Sequence, residues 1–183
     1  QEFKHICVSR IDRMGDLILT TPALRVIRKT WPKSKITLLA SSINEKVLKN
    51  SDLVDSIIVI EKNKNFFSNI KILGKIRQSS FDLFINFSPT NLSYILCFFS
   101  KAKCKANLIF LSRYKRIFSK IIQRLLSKIF CRYTKVIDRH NLMNLNIDFH
   151  QTKVMINLIE MISDKETEKP DLEFKLSPNA ENI

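Results

Sequence analysis

From His5 to Phe87, short apolar runs alternate with stretches whose apolar residues recur at helical spacing, and this alternation restricts the fold more than any other feature of the chain. The runs His5 to Val8, Lys35 to Ala40, Ser56 to Ile60 and Phe81 to Phe87 are too short for anything but strands. Between them, Leu17 to Trp31 carries Leu17, Leu24, Ile27 and Trp31 at helical intervals, with Arg25, Arg28 and Lys29 on other faces. Further helices are predicted from about Asn44 to Asn50 and from about Phe66 to Gln78. Strands that are apolar on both faces and separated by helices belong in a parallel sheet covered on both sides. The chain is therefore predicted to be an α/β protein with a Rossmann-like parallel sheet and helices on both faces. Pro32 ends the first helix, while Pro22 either takes its first position with Thr21 as cap or kinks a longer helix starting near Asp16.

After Pro89 the pattern is less regular. It predicts a buried helix at Tyr94 to Phe99, a strand at Lys105 to Phe110 and a basic amphipathic helix at Tyr114 to Phe130. A last helix, Gln151 to Ile162, presents Val154, Leu158, Ile159 and Ile162 on one face, before a charged linker and a polar tail.

Composition removes several classes of function. Gly15 and Gly74 are the only glycines in 183 residues, so no Gly-rich phosphate loop can be written. The longest apolar run, Tyr94 to Phe99, falls far short of the roughly 20 residues that span a bilayer. The amino end lacks the pattern of a signal peptide. Cys7, Cys97, Cys104 and Cys131 match no zinc or redox spacing and are read as buried or free thiols in a reducing compartment, which predicts a cytoplasmic location. No metal site is expected, and His150 is read as a structural or capping residue.

In an open parallel sheet the ligand crevice lies beyond the carboxyl ends of the strands, which singles out the loop Arg10 to Asp16 after the first strand. Gly15 allows close backbone approach or a left-handed turn. Asp16 falls at a helix start, where the positive dipole end attracts a carboxylate. Such a carboxylate in a crevice can take the proton of a hydroxyl as that hydroxyl attacks an electrophile; alternatively, Asp16 merely caps the helix.

The run Arg10-x-x-x-x-Gly15-Asp16-x-x-x-Thr20-x-Pro22-x-Leu24-x-x-x-Arg28-x-x-x-Pro32, followed by Ile36 to Leu39, resembles the amino-terminal signature of glycosyltransferase family 9, the lipopolysaccharide heptosyltransferases. The stretch His150 to Glu160 resembles the His-led helix that closes the same domain in that family. Elsewhere the likeness is one of strand and helix order.

The resemblance implies a GT-B fold, in which two Rossmann-like domains face each other across a cleft. This chain would be the amino-terminal, acceptor-binding half, at residues 1–162, with 163–183 a linker towards an absent nucleotide-sugar-binding domain. The implied reaction is an inverting transfer of heptose from ADP-heptose to a lipid A inner-core acceptor, without metal or cofactor, with Asp16 as base. Arg10 would hold Asp16 or meet an acidic group of the acceptor; read from the residues alone, it forms a surface ion pair with Asp12. Arg13 and Gly15 join it as acceptor-binding candidates, although the family often has small hydroxyl residues where Asp12 and Arg13 stand. Lys62 and Lys64, just beyond the third strand, either contact acidic sugars or phosphates or are solvated loop lysines. An incomplete enzyme is expected, inactive without its donor half: a fragment, one part of a split enzyme with a separate donor-domain chain, or an inactive remnant.

Charge adds a second surface. Between Leu83 and Ile137 there is no Asp or Glu, and eleven Lys and Arg supply most of the formal charge of +14. In the helix Tyr114 to Phe130, Ile117, Ile121, Leu125 and Ile129 form an apolar face, with Lys115, Arg116, Lys120, Arg124 and Lys128 over the remainder. Such a helix lies on an anionic leaflet, each basic residue contributing about 1 kcal/mol, and the inner face of a bacterial inner membrane would suit a phosphorylated lipid acceptor. Two other readings are that the apolar face packs on the core, and that the chain is a non-catalytic nucleic-acid-binding module. Against the latter, no helix-turn-helix, zinc or aromatic RNA-binding motif is present.

Overall fold

The computed structural model describes residues 1–49, 51–61, 66–111, 117–137 and 150–166. Lys62, Lys64, Lys115 and Arg116, and the tail beyond residue 166, lie outside the described residues. The elements run β1 (His5–Arg10), α1 (Met14–Ile18), α2 (Thr21–Thr30), β2 (Lys35–Ser41), α3 (Glu45–Leu48), β3 (Ser56–Ile60) and α4 (Phe66–Gln78). They continue with β4 (Leu83–Asn86), α5 (Asn91–Phe99), β5 (Cys104–Phe110), α6 (Ile117–Phe130), β6 (Tyr133–Ile137) and α7 (Gln151–Ser163).

All pairings are parallel, in the order β3-β2-β1-β4-β5-β6. The chain winds outward from β1 to β3, then returns to place β4 on the other side of β1. In sheets wound this way a ligand crevice is expected where the strand order reverses, here at the carboxyl ends of β1 and β4. Alternate residues of β1 enter two cores, which is why the strand reads as continuously apolar. Ile6 and Val8 pack with Leu24 and Ile27 of α2 and Met155, Leu158 and Ile159 of α7. Cys7 packs on the opposite side with Phe84, Ile76 of α4, and Leu96 and Cys97 of α5. All four cysteines are free and buried. Among the described residues no helix is long and apolar enough to cross a membrane.

The helix predicted at Leu17 to Trp31 is two helices, and neither expectation for Pro22 holds. Thr20 is the N-cap of α2, and Pro22 is its second residue. Pro22 has no N–H to offer the Ile18 carbonyl; the Thr21 hydroxyl takes that place at 2.8 Å. The strand β6 was not foreseen, because its run is short and broken by Lys135. Among the described residues, left-handed turns fall on Ser80, Lys101 and Asp164, with φ of 49°, 60° and 56°, and none on a glycine.

A polar row crosses the sheet on the α6 side. Ser9, Asn86, Asn107 and Thr134 stand in register on β1, β4, β5 and β6. Asn86 Nδ2 donates to Asn107 Oδ1 at 2.9 Å, and Asn107 Nδ2 donates to Ser127 Oγ of α6 at 2.9 Å. The residues of α6 that are buried are accordingly Gln123 and Ser127. Its apolar face, Ile117, Ile121, Leu125 and Ile129, is exposed. The expectation that this face packs on the domain core is thus overturned: the sheet beneath offers amides and hydroxyls, and the polar side of the helix answers them.

Candidate functional site

The loop after β1 is built around a buried guanidinium. Arg10 closes β1 with no solvent exposure. Its Nη2 lies 3.4 Å from Asp16 Oδ1, and its Nε lies 3.4 Å from Asp12 Oδ1 and donates to the Asp16 carbonyl at 3.2 Å. Nη1 donates to the Phe87 carbonyl just after β4. The ion pair of Arg10 with Asp12 is therefore a buried one and not a surface one, and the same guanidinium faces Asp16. Buried in this way it needs several acceptors, and two carboxylates and two carbonyls supply them.

Asp12 is also buried. Burial pushes its carboxyl above the usual carboxylate range and the charge of Asp16 adds to this, against the pull of Arg10 and the Ser88 hydroxyl. Ser88 Oγ accepts from Ile11 N–H at 2.6 Å and donates to Asp12 Oδ1 at 3.0 Å, so the segment after β4 clamps the loop after β1. Asn44 Nδ2 donates to the carbonyls of Arg10 and Arg13 at 3.2 and 3.4 Å, fixing both ends of the same loop from the start of α3.

Asp16, in the first turn of α1, keeps 21% of its side chain exposed beyond the carboxyl end of β1. It does not cap the helix: Arg13 is the N-cap, without a side-chain cap bond, and the Asp16 carboxylate faces Arg10. The Asp16 carbonyl receives the Thr20 hydroxyl at 2.7 Å. Thr20 Oγ1 is also 3.5 Å from Met155 Sδ, and Thr152 Oγ1 donates to the Leu19 carbonyl at 3.2 Å, so α7 supports the α1–α2 junction. Gly15 has no positive φ, which removes the left-handed turn from its two expected roles. A side chain at this position would meet nothing within 4 Å, so nothing inside the fold requires glycine there. Arg13 is exposed beside it.

The structure thus brings Arg13, Gly15 and Asp16 together at the surface, with Arg10 buried behind them. Lys120, Arg124 and Lys128 belong to α6 and form a separate surface. His150 stands at the N-cap of α7 without a side-chain cap bond. Among the described residues no three of His, Cys, Asp and Glu converge as a metal-ligand set. Ser88 and Asn44 were not foreseen. Ser88 could have been found by applying the switch-point rule to the carboxyl end of β4; nothing in the sequence marks Asn44.

A doubly wound parallel sheet with polar residues gathered at its switch point defines a Rossmann-like fold, and the solved structures it is similar to are GT-B glycosyltransferases. The chain is 28% identical over 99 residues to lipopolysaccharide heptosyltransferase 3 of Escherichia coli, covering 50% of this chain and 28% of that protein. Its fold is similar to a glycosyltransferase family 9 protein of Veillonella parvula, with a TM-score of 0.74 and 22% identity, over 97% of this chain and 46% of that one. It is also similar to E. coli heptosyltransferase WaaC solved with ADP, with a TM-score of 0.64 and 13% identity, over 91% and 48% of the two chains. E. coli ADP-heptose lipopolysaccharide heptosyltransferase II gives a TM-score of 0.62 at 13% identity, over 96% and 47%. No family model matches the chain. The resemblance to glycosyltransferase family 9 is thus present in sequence and in fold, and the chain spans about half the length of these solved relatives.

Proposed function

We propose that this chain is the acceptor-binding half of a glycosyltransferase of lipopolysaccharide core assembly, which transfers heptose from ADP-heptose to a lipid A-type acceptor. The observation that carries the reading is the Asp16 carboxylate, partly open at the switch-point crevice and held from behind by a wholly buried Arg10. In this reading an acceptor hydroxyl attacks the anomeric carbon of the donor and gives its proton to Asp16. The new glycosidic bond forms as the bond to the ADP phosphate breaks, with inversion. Arg13 and the open backbone at Gly15 are the acceptor contacts on the rim. No metal or cofactor is assigned to the step.

In this reading the acceptor domain spans residues 1–162 and 163–183 leads on from it, with α7 itself ending one residue later, at Ser163. ADP-heptose would bind a second Rossmann-like half, in the same protein or in a partner chain. A location on the cytoplasmic face of the inner membrane belongs to the same proposal, since the nucleotide sugar and the phosphorylated lipid acceptor it requires would meet there.

The test is transfer from ADP-heptose to heptose-deficient lipopolysaccharide by this chain joined to, or mixed with, a nucleotide-sugar-binding half, read by mass spectrometry of the acceptor. A gain of one heptose is expected. Transfer that proceeds equally well without this chain would remove the proposal.

A further inference from the structure

The α6 helix is amphipathic with the wrong side out for a free-standing domain. Ile117, Phe118 and Ile129 are 75%, 71% and 74% exposed, and Ile121 and Leu125 lie between them. At about 100° per residue, Phe118, Ile121, Leu125 and Ile129 form one strip pointing away from the sheet. Lys120, Arg124 and Lys128 line one flank of it. On the other flank Phe130 lies 5.2 Å from Phe98 and 5.6 Å from Phe99, and the exposed Phe99 and Ile95 of α5 carry the apolar surface onward.

The polar row of the sheet, with Asn107 bonded to Ser127, fixes this orientation. The strip faces outward because of how the domain is built.

The charge of the same side says what covers the strip. The helices α4, α5 and α6 contain no Asp or Glu. Lys71, Lys75 and Arg77 on α4 and Lys101 beyond α5 are exposed and add to the cations of α6. Apolar side chains bordered by cations, with no acid among them, complement a surface that is anionic outside and hydrocarbon within. A crossover helix runs antiparallel to its strands, so Ile117 and Phe118 begin at the same edge of the sheet as the Asp16 crevice.

We propose that the outward face of α6, continued by Ile95 and Phe99, is the surface by which this protein docks on an anionic lipid bilayer, its apolar strip entering the headgroup region. This deepens the membrane location proposed above. It stands apart from the chemistry, because the test below contains no acceptor.

The experiment is flotation of the 183-residue chain with vesicles of phosphatidylcholine, with and without phosphatidylglycerol. Ile121→Trp is added as a depth probe, its fluorescence quenched by brominated lipid. Binding is expected only with phosphatidylglycerol, weakening with added salt, with quenching of the new Trp beyond that of the unsubstituted chain. Phe118→Ser/Ile121→Ser/Leu125→Ser should weaken partition by about tenfold or more. Lys120→Glu/Arg124→Glu/Lys128→Glu should abolish it. Circular dichroism of both should match the unsubstituted chain, since each position is at the surface or partly so. No partition onto anionic vesicles, or full partition by the serine variant, would overturn the proposal. So would a dimer that the serine substitutions dissociate, or tighter binding to mixed RNA or DNA than to vesicles at the same salt.

Discussion

Arg10 Nη2 lies 3.4 Å from Asp16 Oδ1 and does so from a side chain with no exposure to solvent, while Asp16 keeps a fifth of its own surface open. One residue is structural and the other faces the crevice, and their substitutions should fail in different ways.

In the assembled transferase, Asp16→Asn should lower turnover by about 10²-fold while acceptor binding persists, because the amide keeps its shape but cannot take a proton. Steady-state kinetics separate the two. Wild-type turnover in the variant would remove Asp16 from the role of base.

Arg10→Gln should cost about 3 kcal/mol or more of unfolding free energy, because Asp12 is left buried beside Asp16 without the cation between them. Urea denaturation gives the value. The pair Arg10→Gln/Asp12→Asn should recover part of the loss.

At the opposite end of the sheet, Asp82 accepts from the N–H groups of Lys4 and His5 at 2.9 and 3.0 Å and from Lys103 Nζ at 2.7 Å. The hydrogen bond from Lys103 first, and then those two amides, outweigh burial and hold its carboxyl below its ordinary range. A lowered folded-state pKa gives stability that is complete above the unfolded value and disappears as pH falls through the folded one. The stability difference between the unsubstituted chain and Asp82→Ala should therefore be steady near neutrality, at about 2 kcal/mol, and shrink in acid below about pH 4. Urea midpoints over a pH series measure it. A difference that grows towards acid would contradict the assignment.

Lys101→Gly should stabilise the fold by about 0.5 kcal/mol, the relief of a left-handed backbone exceeding the flexibility that glycine adds to the unfolded chain. A thermal melt with the urea midpoint suffices. A loss of stability would mean that the Lys101 side chain contributes more than its backbone costs.

Strands β1 to β5 were legible in the sequence because their signal is local. Ser56 to Ile60 and Phe66 to Gln78 are bounded in the structure where the periodicity bounds them. The loop Arg10 to Asp16 was also legible, since a polar segment after the first strand of a parallel sheet has a known place. What could not be read was set by neighbours far away in the chain. The burial of Arg10 depends on Phe87 and the clamp on Asp12 depends on Ser88, both more than seventy residues away. The amphipathic pattern of α6 defines two faces without saying which faces inward; Asn107 and Thr134, on two strands, decide it together.

The Asn86–Asn107 pair also acts as an alignment notch between β4 and β5. Both strands are apolar along much of their length, and greasy strands by themselves tolerate slippage in pairing. A shift of one residue would set Asn86 against Ala106 or Leu108 and turn Asn107 towards the other face of the sheet. Each buried amide left without its partner would cost about 1–3 kcal/mol. Competing alignments are thereby penalised, and the amides give a hydrophobic ladder a single correct setting.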